Sequence, residues 1–423
     1  MKKFTALLMI LMFAAVMCFA NGGTESTDSQ DIAGQTIEVA VNYTGIQSDV
    51  FKNLVSQFEA ESGVNVEVVE YGNDYENTMK TRMASNSLPD VFQTHGWSIL
   101  RYKEYLMDLR DEPWASDYTD AALGVIRDDD GSIYVLMTSL MVGGTVANLD
   151  ILNEVGIDPY SIHTWEDFTE ACAAVKAAGY TPINNPSEAG LLANIAGTWV
   201  SYPGELAEDS EAMLDGSYDF GSYRALLEQY AEWIDAGYFY EDALTINDTD
   251  ISERFASGQA AFEIGNGGSF LVGCKTLNPD ANYVFLPNFA SKDGGKEFIF
   301  VGEGDTFGIW KDSDHVAASK AFLEFMARPE NASTLTASTG YVCALESSLP
   351  YDDGYQAELY LEMQDKCVDS DILYENLWDR KYMPSGMWQV FDIASDMLFS
   401  DHSEAGIDAV QAYLLENYQS LYI

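Results

Sequence analysis

Basic residues are scarce in this chain: 21 Lys and Arg stand against 68 Asp and Glu in 423 residues, a formal charge of −47. A field of that sign repels phosphate backbones and anionic lipid heads, so nucleic acid is excluded as a partner. The acids are spread along the chain and read as a solvated surface, not as a device for one ligand. Histidine is as thin. The four residues His95, His163, His315 and His402 are scattered and form no HExxH pair, and a GxSxG nucleophile turn is missing too. GNGGSF carries Phe270 where a dinucleotide fingerprint needs its third glycine, and Asp128-Asp129-Asp130-Gly131 would place Ile126 at the first ligand position of a calcium loop, so it reads as a turn. These gaps leave no catalytic set, no metal set and no cofactor to name. A glycosidase pair stays open, because the separation of two carboxylates is a spatial quantity.

Cysteine is also sparse, with five residues. Cys172, Cys274, Cys343 and Cys367 lie far apart with no CxxC pair, which excludes a zinc knuckle. Cys343 and Cys367, the nearest pair, are open to a disulfide or to two buried thiols. Cys172 shares a helical stripe with Trp165, Phe168 and Val175 and reads as core.

Long apolar runs are confined to the start. Residues 1–20, MKKFTALLMILMFAAVMCFA, join two lysines to an apolar stretch from Leu7 to Met17 that is too short to span a bilayer. It reads as an export signal. Two readings of its end stand: cleavage after Ala20, or a lipid anchor on Cys18, against which Met17 argues. Either places the mature protein outside the cytoplasm, in the periplasm or at the cell surface. Residues 21–34 are small and polar and read as a flexible tether.

What remains is long enough for two or three domains. In TIEVAV the apolar residues alternate, and Val50, Phe51, Leu54, Val55 and Phe58 then recur at helical spacing behind Ser48 as the expected cap. A second strand over 64–69, a helix over 75–86 and a short strand at Val91-Phe92 complete a βαβαβ start, hence a parallel sheet in an α/β fold. Thr164-Trp165-Glu166-Asp167 opens a helix that Gly179 closes, and a second α/β lobe follows with the strand AAFEIGNGG. DTFGIW leads into a helix over Val316–Met326. From about Ala357 the chain reads as helices interrupted at Met383-Pro384-Ser385-Gly386.

Open parallel sheets bind ligands beyond the carboxyl ends of their strands. That rule selects the loop with Tyr43, Thr44 and Gln47 and the loop with Gln93, Thr94 and Trp97, which mix amide, hydroxyl and aromatic groups suited to a polyhydroxylated ring. The turn at Asn266 and Gly267 and Asp305 before the return strand join the candidate set.

LPDVFQTHGW, ANLDILNEVGIDPYSIHTWEDF, SERFASGQAAFEIGNGG and GDTFGIWKDSDHVAASKAFLEFMARPEN, in this order, resemble segments of the bacterial extracellular solute-binding family that includes maltose-binding protein and other sugar receptors of ABC importers. The resemblance implies a periplasmic-binding-protein fold, two lobes with a hinge between them, and no enzyme activity. Lobe 1 would hold residues 31–140 plus 303–345, and lobe 2 residues 141–302 plus 346–423. It further implies a monomer that captures a mono- or oligosaccharide and delivers it to the permease subunits of an ABC importer. Trp97, the Gly267 turn and Trp388 fall where relatives line the pocket. Gly268-Ser269 stand where relatives often carry a Trp, which leaves the number of rings, and so the sugar, open. A polyamine or a peptide on the same fold, and a secreted glycosidase, are the competing readings.

Overall fold

The computed structural model describes residues 32–94, 102–128, 130–187, 205–291, 294–352, 354–368, 370–376, 381–384 and 386–422. The leader, most of the tether, His95 and Trp97 lie outside the described residues.

The first sheet starts as its pattern predicts. Strand β1 (Thr36–Val41) pairs in parallel with β2 (Asn65–Glu70) and β3 (Val91–Gln93). The helix Gly45–Ser62 between β1 and β2 buries Phe51, Leu54, Val55 and Phe58, the residues whose spacing identified it. Its start differs from the expectation. The helix begins behind Thr44, and Ser48 sits inside it, donating its hydroxyl to Glu70 at the end of β2 rather than capping the helix's own N–H groups. The second helix is Tyr75–Ala84, two residues shorter than expected. Strand β4 (Leu136–Met137) and the return strand β10 (Thr306–Ile309) finish a sheet of order β2-β1-β3-β10-β4, in which β10 runs antiparallel to β3 and β4.

The second sheet is built around the long strand β5 (Ser139–Asn148). Its path is β12-β9-β5-β7-β6, with β8 and β11 also on β5; the strands are β6 (Thr181–Ile183), β7 (Ala260–Asn266), β8 (Tyr283–Leu286), β9 (Phe298–Glu303), β11 (Val342–Cys343) and β12 (Leu373–Glu375). The sequence pattern missed β12. Three residues are too few to show a period of two, and the strand is held by its parallel pairing to β9. Flanking elements follow their signals: Thr164 and Asp167 form a reciprocal capping box on the helix Trp165–Ala177, and the helix Val316–Met326 keeps the bounds its periodicity implied.

Among the described residues, the chain passes between the sheets three times. It leaves the first sheet at Met137 and enters the second at Ser139; it returns from Glu303 to Thr306; and it leaves again where the helix Pro329–Thr339, packed on Gly45–Ser62, runs through Gly340 into β11. One apolar core runs from Val39, Phe92 and Phe307 through the crossing strands at Leu140, Val142 and Val301. A second gathers Phe168, Tyr230, Trp233, Phe262 and Phe391 on the opposite face of the second sheet. Cys172 is buried in this second core, on the stripe that its spacing defines, and all four described cysteines are free thiols.

Candidate functional site

The loops at the carboxyl ends of β1 and β3 meet over the point where β10 enters the first sheet. Tyr43 is buried there, its ring 5.3 Å from that of Phe51, and its hydroxyl donates to Asp305 Oδ1. Gln93 is also buried. Its Oε1 accepts from the backbone N–H of Asn42 at 2.7 Å. The Thr94 hydroxyl donates to that of Thr306 at 2.9 Å. Asp305 accepts a further bond from Ser139 Oγ at 2.8 Å, and its own N–H donates to the same oxygen at 2.7 Å.

Four of the residues chosen from sequence, Tyr43, Gln93, Thr94 and Asp305, are thus brought into one region of buried polar contacts. Their polar groups are satisfied largely by one another, by Ser139 and by Thr306. Burial raises the Asp305 carboxyl above the ordinary carboxylate value despite the hydroxyls that favour its charge, and burial together with that carboxylate holds the Tyr43 phenol well above its usual range. Thr44 is exposed and Gln47 half-buried at the start of the helix Gly45–Ser62, above this network.

On the second sheet, β7 ends at Asn266 and the chain turns at Gly267. A Cβ at Gly267 would lie 2.3 Å from Gln356 Nε2 and 2.5 Å from the carbonyl oxygen of Val142. Only glycine lets the turn approach β5 this closely. Trp388 is half-buried on the first turn of the helix Met387–Ser400, packed on Phe298 and Phe300. Alternation along β5, β9 and β12 puts Met141, Phe298, Phe300 and Leu373 on the Trp388 side, and Leu140, Val142, Ile299, Val301 and Tyr374 on the other. That other side carries a cavity of about 520 Å³, lined by Leu140, Val301, Cys343, Tyr360, Gln364 and Tyr374 among others.

Sequence reasoning missed two sets of polar residues. Ser139 is one. The other is Glu263, fully buried in β7, whose carboxylate accepts from Asn184 Nδ2 at 2.7 Å and Asn185 Nδ2 at 3.0 Å, while Asn185 Oδ1 accepts from the N–H of Ile264 at 2.8 Å. These bonds fasten the loop after β6 to its neighbouring strand. A lone glutamate inside the apolar run AAFEI was the available signal. Among the described residues, no group of three or more His, Cys, Asp and Glu side chains is placed to hold a metal ion, and no helix is long and apolar enough to cross a membrane.

Residues 53–360 match the family described as bacterial extracellular solute-binding protein. The chain is 28% identical over 408 residues to the melibiose/raffinose/stachyose-binding protein MelE of Bacillus subtilis (strain 168), covering 93% of this chain and 92% of that protein. Its fold superposes on the MsmE binding protein of Bacillus subtilis subsp. subtilis strain 168, solved in an open conformation. That match has a TM-score of 0.84 at 28% identity and covers 92% of this chain and 98% of the other. A sugar transporter of Bacillus licheniformis in complex with stachyose matches with a TM-score of 0.74 at 25% identity, covering 91% of this chain and 100% of that one.

Proposed function

This chain belongs to the bacterial extracellular solute-binding protein family, whose members are binding proteins and not enzymes, and on that premise we propose that it captures an oligosaccharide outside the cytoplasm and delivers it to the permease subunits of an ABC importer. The observation that carries this reading is the likeness, over 93% of the chain, to a protein that binds melibiose, raffinose and stachyose. The solute class is therefore a neutral galactoside of two to four sugar rings, taken up by a monomer. A neutral polyol also suits the loops, which offer amides, hydroxyls and rings.

The lobes are residues 31–140 plus 303–345 and 141–302 plus 346–423, and the solute sits where their strand ends face each other. Thr44, Gln47, Trp97, Asn266, Gly267 and Trp388 supply the contacts, above the floor made by Tyr43, Gln93, Thr94 and Asp305. A tryptophan covering the apolar face of one ring contributes roughly 1 kcal/mol or more at about 25 cal/mol/Å², and each neutral hydrogen bond adds roughly 0.5 to 1.5 kcal/mol. A few such contacts reach micromolar affinity, about −8 kcal/mol. Because they form only when both lobes touch the solute, binding favours the closed arrangement, which gives the importer a way to tell loaded from empty receptor. Before export the chain carries the leader of residues 1–20. The mature form then begins at Asn21 or is held by a lipid on Cys18.

Calorimetric titration tests the reading. Melibiose, raffinose and stachyose, added separately to the mature protein, are expected to bind with micromolar constants, while putrescine and a tripeptide give no heat. Binding of the amine or the peptide with none of the sugars, or multiple-turnover release of reducing ends, refutes it.

A further inference from the structure

The three passages of the chain between the sheets converge around Asp305 and its neighbours Thr138 and Ser139. Ser139, the first residue after the first passage, donates its hydroxyl to Asp305, which lies in the second passage; at the mouth of the third, Thr336 donates its hydroxyl to the carbonyl oxygen of Thr138, the residue before Ser139, at 3.2 Å. Backbone bonds tighten the same point: Thr138 N–H to Asp305 O at 2.9 Å, Gly304 N–H to Ser139 O at 3.0 Å and Ala344 N–H to Thr138 O at 3.0 Å. The strands are pressed so close that a Cβ on Gly304 would stand 2.3 Å from Ser139 Oγ and 2.9 Å from the Tyr341 ring. The other donor to the carboxylate is Tyr43, which belongs to none of the passages. It comes from the loop after β1, and its ring is fixed by Phe51 and Phe307.

We propose that Asp305 is a positioning residue, a clasp that fixes the first ligand loop, through Tyr43, to all three passages between the lobes. The inference rests on the solute-binding reading and deepens it by assigning Asp305 a task other than touching the solute. A carboxylate taken wholly out of water is costly unless its oxygens are bonded, and removing a partner leaves that cost uncompensated. The bonds to Asp305 and the backbone bonds around it therefore hold one another. A bend between the lobes takes place beside this knot, and the loop carrying Thr44 and Gln47 moves as one piece with the passages. A pure scaffold role would need no link to the loop.

The mature protein, Asp305→Asn, Tyr43→Phe and the double variant separate these roles. Asparagine keeps the shape but replaces one accepting oxygen with an amide; phenylalanine keeps the ring packing and removes only the hydroxyl, so it stays folded where the first variant does not. Amide hydrogen exchange without ligand is the first readout. The clasp predicts faster exchange in Asp305→Asn, together at residues 42–45, 138–139, 304–305 and 340–344, with the helix Trp165–Ala177 unchanged; acceleration confined to 304–306 overturns it. The second readout is raffinose affinity, measured well below each melting temperature. Each single variant is expected to bind at least fivefold more weakly, and the double variant to lose less than the product of the two single losses, since the two residues share a bond. Folded single variants with wild-type affinity overturn the positioning role. If the wild type binds no sugar, the solute reading fails, and hydrogen exchange still decides the clasp.

Discussion

Gly267→Ala is the substitution whose cost follows most directly from the geometry. The added methyl would stand 2.3 Å from Gln356 Nε2 and 2.5 Å from the carbonyl oxygen of Val142. The first neighbour is a side chain, but a buried one that donates to that same carbonyl at 2.9 Å. The second is backbone of β5, held in register against Val301 of β9, and cannot retreat without breaking the sheet. Overpacking of this kind costs about 1 to 3 kcal/mol, and displacing Gln356 loses a hydrogen bond of about 0.5 to 1.5 kcal/mol. The expected loss is thus about 2 to 4 kcal/mol, or roughly 5 to 15 °C in melting temperature for lobes of this size. Scanning calorimetry of the ligand-free protein measures it. Adding Gln356→Ala relieves only the flexible contact, so the double variant should recover less than half of the loss. A Gly267→Ala protein within about 0.5 kcal/mol of wild type, inside the range of ordinary surface substitutions, would refute the close approach of this turn to β5.

Three further outcomes are expected. Trp388→Ala weakens raffinose binding by about 1 to 3 kcal/mol, ten- to a hundredfold, while Tyr374→Ala, on the opposite side of the crossing strands, leaves it unchanged; calorimetric titration that reverses this pattern moves the site to the cavity behind the strands. Thr164→Ala removes one half of the capping box on Trp165–Ala177 and lowers stability by about 1 kcal/mol without altering affinity, as denaturant unfolding will show. Because burial raises the folded-state value of Asp305 above that of the unfolded chain, its contribution to stability is fully present below the unfolded value of about 3.9 and is lost as pH rises through the folded one. The stability gap between wild type and Asp305→Asn should therefore shrink between pH 4 and pH 7, and a gap constant over that range removes the group from the account.

The parallel start of the first sheet was legible because its signals are local. Ile37, Val39 and Val41 alternate, the helical stripe at Phe51, Leu54, Val55 and Phe58 begins ten residues after Val41, and Thr164 and Asp167 cap their helix from three residues apart. The strand-end rule also located the loops after β1 and β3. What local pattern could not supply is the set of partners: Ser139 meets Asp305 across 166 residues of chain and Asn185 meets Glu263 across 78. Tyr43, Gln93 and Asp305 were chosen as polar groups free for a solute, whereas much of their bonding capacity is used inside the first sheet. Ser48 looked like a cap for the same reason. Nothing near it in sequence announces that Glu70, 22 residues on, takes its hydroxyl.

Closure of the two lobes over the solute is measured by small-angle scattering of the mature protein, with and without raffinose at a concentration that calorimetry shows to be saturating. Capture between two lobes predicts a smaller radius of gyration in the loaded protein, and a partial return toward the empty value in Trp388→Ala at the same sugar concentration. A radius unchanged at saturation would contradict closure over the solute.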